Sequence, residues 1–438
     1  MLRTFANAWK IADIRKKLIF TGIIILIYRI GSALPVPFTV IAENGLFGNE
    51  AAGTFVTYLS MMTGNAFNYG TLFALSITPY INASIIIQLL TVAIPYLQNL
   101  SKEGEEGRKK MGRITRYSTL LLGLLQSVAY FFFIRANDYL VPVKGVAAEI
   151  FEAVVVILCY TAGTVIVMWL GERINEKGIG NGISMILFAG IVARMPTTIT
   201  NLYQYIDKGG VYFGLVPLAA VALIAMIFYI VWMDNAERRL PVQYAKRVVG
   251  RKMYGGQNTH MPIKVNMCGV LPIIFASSIL SIIPTIAMFA PGKEGSFWYK
   301  LSTVWLGQTH PFYGTLYFLG IIFFAYFYAA IQYNPIDMAD NLRKNSGSIP
   351  GIRPGKPTIT YITKVLNRIT LLGALLLSVV AMFPILYSQL AWAVTANHTG
   401  MNLAIGGTSI IILVGVALET QKQLESQMMM RHYKGFLD

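Results

Sequence analysis

The sequence has few charged residues and few of the side chains that bind metals or form disulfides. Only 13% of its 438 residues are charged, and it contains two cysteines and four histidines. Cys159 and Cys268 both lie in or beside apolar stretches, so neither a disulfide framework nor a metal site is expected. This composition excludes the disulfide-rich secreted class and argues against a soluble enzyme.

Acidic residues are missing from the middle of every long apolar stretch. Those closest to such stretches lie at their ends, namely Glu149, Glu152, Glu172, Asp234 and Glu419. Ion-coupled transporters and intramembrane enzymes need buried ionisable groups for proton relays, metal binding or catalysis. We therefore assign no catalytic residue, metal ligand or cofactor. A hydrophobic pore is favoured, because an aliphatic constriction excludes ions by dewetting and needs no such group.

Apolar residues are abundant and occur in long runs. Hydrophobic residues make up 55% of the chain, and ten stretches have about the length that a bilayer requires. These stretches are 18–36, 72–97, 115–135, 150–171, 182–205, 213–233, 268–290, 312–334, 366–391 and 403–420. The sequence therefore predicts an all-α polytopic membrane protein with ten transmembrane helices.

Basic residues indicate the orientation of these helices. Most of the 36 lysines and arginines lie at the termini and in alternate loops, chiefly 98–116, 234–267 and 335–368. This asymmetry predicts that both termini and the loops 234–267 and 335–364 are cytoplasmic. Five stretches precede loop 234–267 and five follow it, which predicts two inverted five-helix halves, 1–205 and 206–438, around a central pore. The formal net charge of +16 then needs no nucleic-acid partner.

The stretch ITPYINASIIIQLL, residues 77–90, combines apolar and polar side chains within one predicted span. Pro79 removes a backbone donor, so regular helix is expected to begin or kink there. Ile81 and Ile85 are one helical turn apart, with Gln88 nearby on the same face. An aliphatic pair beside polar groups suggests the narrow point of a pore. A polar-flecked helix packed inside a bundle remains the alternative.

The stretch YLSMMTGNAFNYG, residues 58–70, is too short to span a membrane and too apolar for a solvated loop. It leads directly into the break at Pro79. Such a segment could fold back into the membrane from the outer side and stop a pore. A surface helix on the outer rim is the alternative.

Four further segments are predicted to lie at the surface. Residues 1–17 predict an amphipathic interfacial helix or a plain charged flank, and 101–110 predicts a solvated turn. Within 234–267, Val242–Val249 has strand-like residues followed by glycine turns, which predicts a basic hairpin. This hairpin could dock on an acidic protein face or on RNA phosphates, or its charges could only fix topology. Arg353 lies between turn residues in IPGIRP and suits a contact, although a solvated turn is equally consistent.

Several of these stretches, taken together and in order, resemble one known family. The matching stretches are ITPYINASIIIQLL (77–90), SKEGEEGRKK (101–110), MWLGERINEKGIGNGIS (168–184), QYAKR (243–247), THMPIKVN (259–266), LPIIFASSI (271–279), IPGIRPG (349–355), GGTS (406–409) and RHYKGF (431–436). The chain resembles the SecY family, the channel subunit of the general protein translocase, along essentially its whole length. The style of the motifs is bacterial.

The resemblance implies roles for residues at matching motif positions. It implies a hydrophobic pore ring of Ile81, Ile85, Leu187, Ile274 and Ile412. It implies that residues 58–69 form a short re-entrant plug helix, comprising Tyr58, Met61, Met62, Thr63, Gly64, Asn65, Ala66, Phe67, Asn68 and Tyr69. It implies a lateral gate between the second and third spans and the seventh and eighth, with Gln88, Ser277 and Ser278 as polar contacts.

The resemblance also implies a function, a location and partners. The expected function is passive conduction of unfolded secretory polypeptides across the bacterial cytoplasmic membrane, with lateral release of apolar segments into lipid. The expected partners are SecE, SecG, the SecA motor ATPase, the ribosome, signal peptides, nascent chains and membrane lipid. The residues expected to receive the motor or the ribosomal RNA and proteins are Arg238, Arg239, Lys246, Arg247, Arg251, Lys252, Lys264 and Arg353. No cofactor is expected.

The sequence departs from the family pattern at a few positions. Ser76 stands where a glycine commonly precedes the Ile-x-Pro-Tyr motif, and Leu187 replaces isoleucine in the ring. The plug has one glycine, Gly64, where two are common, and the Arg353 loop begins at Ser346 instead of a glycine pair. The single plug glycine bears only on the exact conformation of the plug, and none of these departures touches the assignment of a channel.

Two other functional classes are weighed against a channel. A five-plus-five inverted-repeat secondary transporter of small solutes predicts an ionisable residue in mid-membrane. An intramembrane enzyme predicts a catalytic cluster. The sequence has no Asp or Glu near the middle of any span and no catalytic cluster, and Arg29 and Arg194 are the basic residues within spans.

Overall fold

The computed structural model describes residues 2–40, 63–136, 138–143, 145–207, 209–244, 247–249, 252–254, 258–289, 296–306, 310–394 and 407–434. Within these ranges the chain is a bundle of helices with a small antiparallel sheet. The longer helices are α1 Leu2–Lys10, α2 Ala12–Gly31, α3 Thr78–Ala93, α4 Pro95–Lys102, α5 Glu105–Ala136, α6 Val146–Lys177, α7 Gly182–Asp207, α8 Tyr212–Asn235, α9 Leu271–Phe289, α10 Pro311–Gln332, α11 Pro335–Lys344, α12 Lys356–Val394 and α13 Gly407–Lys434. The strands are β1 Glu237–Tyr244, β2 Arg247–Val249, β3 Lys252–Tyr254, β4 Asn258–Lys264 and β5 Gly347–Ser348.

Each of the ten predicted apolar stretches falls largely on a helix. Six helices in the described residues are long and apolar enough to cross a membrane, namely α5, α6, α7, α8, α10 and α12. The bent pair of α3 and α4 would be a seventh if it is one span. The predicted helical membrane protein is therefore present, and the count of ten spans remains a prediction.

The stretch 72–97 is not the single continuous helix that its apolar composition suggests. Residues 72–77 form turns, and α3 and α4 meet at an angle of 106°. Ile94 is extended (φ −107°, ψ 112°) because it precedes Pro95, which disfavours helical geometry at the residue before it. The predicted break at Pro79 is confirmed, since α3 begins at Thr78 with the proline in its first turn.

The charged segment 101–110 is mostly helical, so the expected solvated turn is wrong. Only Glu103 and Gly104 separate α4 from α5, and Gly104 supplies a left-handed residue (φ 73°). Ion pairs one turn apart then support the start of α5, because Lys109 and Lys110 lie 3.6 Å from Glu105 and Glu106. The basic residues that follow Gly104 therefore lie in the first turns of the long helix α5.

A small sheet qualifies the all-α prediction. β1 pairs antiparallel with β4, placing Leu240 opposite Met261, and β5 joins the other edge of β1 at Gln243. Leu240 and Val242 are buried in a cluster that includes Leu342 and Ile362 of α11 and α12. β2 and β3 form a separate hairpin. The predicted basic hairpin exists, but its first strand begins at Glu237 and Val242–Val249 is divided between β1 and β2.

The termini pack against each other. Ala8 of α1 and Leu424 of α13 are fully buried in one cluster, and the Thr4 hydroxyl donates to Glu425 Oε1 at 3.2 Å. Phe5 and Trp9 of α1 are exposed. The predicted amphipathic helix is thus present, and its position at a membrane interface remains a prediction.

The long helix α12 packs closely against the linker between β4 and α9. At Gly373, a side-chain Cβ would lie 2.4 Å from the Val265 carbonyl oxygen, so only glycine permits this approach. α12 begins at Lys356, directly after the turn that holds Arg353. The sheet, the Arg353 turn and the bundle are therefore joined through this one helix.

Residues near three departures from the family's glycine pattern have left-handed backbone. Asn65 (φ 71°), Ser76 (φ 47°) and Ser346 (φ 56°) all adopt positive φ. Glycine occupies this region without steric cost, whereas other residues do so at a cost. Ser76 has a compensating contact, because its Oγ lies 3.1 Å from the Tyr28 hydroxyl in a buried hydrogen bond. Ser346 is exposed.

We expect Ser346→Gly to raise the free energy of unfolding by about 0.5–1 kcal/mol, because it removes left-handed strain at an exposed site. Ser76→Gly should change it by less, since losing the hydrogen bond to Tyr28 costs about 1 kcal/mol and offsets the relief of strain. Thermal unfolding of the purified protein in detergent measures both. Ser346→Ala, which keeps a Cβ, should give no gain. A larger gain for Ser76→Gly than for Ser346→Gly would contradict this account.

Candidate functional site

A large cavity opens between the ends of several helices and the sheet. Its volume is about 1140 Å³, and α7, α9 and α13 contribute to its wall together with β4. Charged side chains of both signs line it, including Asp234, Lys264, Glu419 and Lys422. Asn266 donates from Nδ2 to Asp234 Oδ1 at 2.7 Å. The outer part of this cavity is therefore polar and suited to water.

The inner part of the cavity is aliphatic. Leu187 of α7, Ile274 of α9 and Ile412 of α13 line it, and each is less than a tenth exposed. Ile85 of α3 belongs to the same buried cluster as Ile274, and Leu187 shares a second cluster with Ile412. Ile81 packs against both clusters. The structure thus brings the five predicted ring residues together from four helices.

Helix α7 orders the features of the site along its length. Asn181 caps its start, accepting hydrogen bonds from the backbone N–H groups of Ile183 and Ser184. Asn181, Ser184 and Leu187 line the cavity in succession. Gly190 follows about 4.5 Å beyond Leu187, given the helical rise of 1.5 Å per residue. The polar wall, the aliphatic residue Leu187 and then Gly190 therefore follow one another along the helix in sequence order.

The segment 63–70 packs on α7 at Gly190. A Cβ on Gly64 would lie 2.7 Å from the Gly190 carbonyl oxygen, and Gly64 itself has positive φ (65°). Thr63, Ala66 and Phe67 are buried. The segment therefore lies against the bundle on the side of Leu187 that is away from the polar cavity.

Two tyrosines that the sequence analysis did not single out hold this segment. The Tyr130 hydroxyl donates to the Phe67 carbonyl at 2.6 Å, and the Tyr160 hydroxyl donates to the Gly70 carbonyl at 3.0 Å. The Thr63 hydroxyl accepts from the Phe67 backbone N–H at 3.1 Å. A tyrosine within an apolar span is the feature of the sequence that could have indicated such a contact, because a buried hydroxyl needs a hydrogen-bond partner.

The predicted plug is described only in part. Thr63 to Tyr69 lie in the described residues, where Gly64, Asn65 and Asn68 are half-buried and Tyr69 is exposed. Residues 64–70 form turns instead of helix. Tyr58, Met61 and Met62 lie outside the described residues. The plug helix therefore remains a prediction.

The helices predicted to form the lateral gate are neighbours. α9 contacts α5, and Ile85 of α3 shares a buried cluster with Ile273, Ile274 and Phe275 of α9. Gln88 Oε1 is buried and has no hydrogen-bond partner among the described residues. Ser277 donates to the Ile274 carbonyl of its own helix at 3.0 Å, and Ser278 is half-buried. Their role as gate contacts remains a prediction.

The predicted docking residues are partly described, and four of them have exposed side chains. Arg238, Arg239, Lys264 and Arg353 are exposed, and Arg239 pairs with Glu237 at 2.8 Å. Gly351 (φ 81°) and Gly355 (φ 104°) flank Arg353, whose carbonyl accepts from Thr358 Oγ1 at 2.9 Å. Arg247 and Lys252 lie on the paired strands β2 and β3. Lys246 and Arg251 lie outside the described residues.

Comparison with known proteins identifies the family. A sequence model described as SecY matches residues 71–421. The chain belongs to the SecY family. The protein translocase subunit SecY of Streptomyces galbus is 43% identical to it over the full length of both chains.

Solved structures with low sequence identity share the SecY fold seen here. One described as "The structure of a protein conducting channel" is 19% identical, with a TM-score of 0.64, and covers 94% of this chain and 92% of its own. Sec61 in the canine ribosome-channel complex is 18% identical, with a TM-score of 0.61 and the same coverage. The two likenesses extend over almost the whole bundle.

Membership of the SecY family decides between the functional classes considered from the sequence. SecY proteins are membrane translocation channels and not enzymes, which agrees with the class favoured above. The comparisons give no support to a secondary transporter of small solutes. The chain is accordingly a multi-span membrane protein.

We expect cysteines on the cavity wall to be open to water-soluble reagents. In a background lacking Cys159 and Cys268, Ser184→Cys and Ser426→Cys should react readily with a charged maleimide, because both positions line the cavity. Ile186→Cys on the same helix is fully buried and should react on the order of tenfold more slowly, since a thiol must be exposed to react. If Ser184→Cys and Ser426→Cys reacted as slowly as Ile186→Cys, the cavity would be closed to water.

Proposed function

We propose that this chain is the polypeptide-conducting pore of a bacterial translocase. Unfolded secretory polypeptides pass through it across the cytoplasmic membrane, and apolar segments leave it sideways into lipid. The observation that carries this proposal is the water-suited cavity that narrows to Leu187, Ile274 and Ile412, with the segment 63–70 packed beyond them. The chain itself performs no chemistry, and a partner supplies the driving energy.

Ile81, Ile85, Leu187, Ile274 and Ile412 act as the pore ring in this proposal. Aliphatic contacts are not directional, so the side chains can separate around a passing chain and close again without breaking hydrogen bonds. An aliphatic constriction also excludes ions by dewetting. Leucine at position 187 seals as isoleucine would, because both side chains are apolar and of equal volume.

The segment 58–69 acts as the plug. The support for this role is the contact of Gly64 with Gly190, one turn beyond Leu187, together with the Tyr130 and Tyr160 hydroxyls, which donate to the carbonyls of Phe67 and of the adjoining Gly70. These hydrogen bonds join the segment to α5 and α6 and do not join those helices to each other, so the segment can leave while the helices around it stay packed. Displacement of the segment then opens the far side of the constriction.

Lateral release follows from the neighbouring helices α3, α5, α9 and α10, with Gln88, Ser277 and Ser278 as the polar contacts of the gate. Each apolar residue of a signal peptide gains roughly 0.3–0.6 kcal/mol at mid-bilayer, so a core of about ten residues gains roughly 3–6 kcal/mol. This gain is enough to favour lipid over a wet pore. Segments without such a core stay in the channel and cross.

The proposed function includes a definite membrane topology. Ten spans form two inverted halves, 1–205 and 206–438, with both termini and the loops 234–267 and 335–364 in the cytoplasm. The support is the one-sided distribution of basic residues and the helical location of all ten apolar stretches. The polar cavity then faces the cytoplasm, because β4 and Lys264 lie on its wall.

The exposed basic residues of the sheet and the Arg353 turn receive the driving partner. Ribosomal RNA phosphates or an acidic face of the SecA motor ATPase suit Arg238, Arg239, Lys264 and Arg353, together with Lys246, Arg247, Arg251 and Lys252. The structurally similar Sec61 is described in a ribosome-channel complex. SecE and SecG are the small membrane partners expected from the family, and signal peptides, nascent chains and membrane lipid complete the set.

Site-specific photocrosslinking tests the proposed function. A probe at Ile81, Ile85 or Ile274 should crosslink to a stalled secretory precursor in the presence of the motor. The same probe at Leu124, an exposed position on α5, should not. A precursor that is engaged but reaches none of the three ring positions would exclude a path through the centre of this chain.

Alanine substitutions at two glycines separate the effect of the contact between Gly64 and Gly190 from the effect of backbone strain. Gly64 and Gly104 both have left-handed φ, so alanine at either position carries a backbone cost of about 1–2 kcal/mol. Only at Gly64 would the new Cβ meet a carbonyl oxygen, while Gly104 has open space. We expect Gly64→Ala to increase the ion leak of the resting channel in planar bilayers, and Gly104→Ala to leave it at the wild-type level. Equal leaks would show that the contact with Gly190 does not close the channel.

A further inference from the structure

Two arginines lie within helices of the bundle and belong to neither the ring nor the docking surface. Arg29 is near the end of α2 and Arg194 is in the middle of α7. Both side chains are half-buried, and in each the Nη1 atom is buried without a hydrogen-bond partner among the described residues. Neither forms an ion pair with a described carboxylate.

The two arginines approach the plug segment from different helices. Arg29 Nη1 lies 3.3 Å from the point that a Cβ on Gly64 would occupy. Gly64 also touches the Gly190 carbonyl, and Arg194 is one helical turn further along the same face of α7. A helical side chain leans toward the N-terminus of its helix, which directs Arg194 back toward the turn of Gly190. The Arg29 guanidinium therefore adjoins Gly64, and the helical lean of Arg194 directs its side chain toward the same turn of α7.

An unpaired guanidinium donor is costly when it is removed from water, so its retention indicates a place for an acceptor. A guanidinium group presents a planar fork of donors that matches a carboxylate in bidentate geometry. The region around Gly64 lies past the aliphatic contact at Leu187, on the path that an emerging polypeptide would follow. The acceptors that arrive there are the side chains of that polypeptide.

We propose that Arg29 and Arg194 form an anion-binding site just beyond the constriction, which binds aspartate and glutamate carboxylates of the passing polypeptide. The site rests on the proposed function, since it needs a chain in the pore. Acidic segments dwell there when the plug segment moves aside, whereas neutral segments pass without delay. The two arginines are positioning residues for the cargo and do not seal the pore.

The test uses three precursors that differ only in one short segment of three glutamates, three glutamines or three lysines. They are driven through the full channel complex in vesicles, and the dwell time of the segment in the pore is measured. In the wild-type channel we expect the glutamate segment to dwell roughly twofold to fivefold longer than the glutamine segment, as a partly exposed ion pair allows. In Arg29→Gln/Arg194→Gln this ratio should fall to about one, as expected when the ion pair is lost.

Charge-conserving variants distinguish the loss of the anion-binding site from general damage to the channel. Arg29→Lys/Arg194→Lys should keep part of the glutamate delay, because the positive charge remains while the bidentate fork is lost. If the double glutamine variant does not assemble, the two single glutamine variants carry the same comparison and should each lower the ratio.

The outcomes separate this inference from the proposed function. An unchanged ratio in the glutamine variants, with the glutamine precursor still transported, overturns the anion site and leaves the channel intact. An equal delay for the lysine segment also overturns it, because a cationic site cannot retain lysine. Failure of every precursor to cross the wild-type complex would instead reject the proposed function.

Discussion

The aliphatic contact between four helices is the constraint on which the rest of the site depends. Ile85 and Ile274 belong to one buried cluster, Leu187 and Ile412 belong to a second, and Ile81 packs against both. Apolar packing of this kind has no directional bonds, so these side chains can separate without breaking hydrogen bonds between them. Polar groups occur on either side of the contact, in the cavity wall and in the tyrosine contacts of the plug segment. Separation of the helices at this level therefore breaks few hydrogen bonds.

Helix α7 explains how the parts of the site are kept in order. Its first turns face the polar cavity, Leu187 reaches the aliphatic contact, Gly190 admits the segment 63–70, and Arg194 follows one turn later. A rigid helix fixes these distances at 1.5 Å per residue, so the order of the residues in the chain becomes the order along the path. The proline within α7, Pro196, comes only after this series.

The helices and the break at Pro79 could be predicted from the sequence because apolar length and proline act locally. The ring residues could be selected only from their positions in the family motifs. The bend at Ile94 is also predictable from Pro95, but the apolar residues on both sides of it make 72–97 resemble one continuous span. Other features depend on distant partners. The strand from Glu237 forms by pairing with β4 and β5, and the hydroxyls of Tyr130 and Tyr160 find carbonyls more than sixty residues away. No local pattern specifies such partners.

The 39 residues of α12 extend about 58 Å at the usual helical rise, which exceeds the thickness of a bilayer core. Its first turn adjoins the Arg353 loop, and its middle is clasped by the Val265 backbone at Gly373. One continuous helix and one close backbone contact therefore connect the Arg353 turn to the linker 265–270, an irregular segment that leads to the helix carrying Ile274.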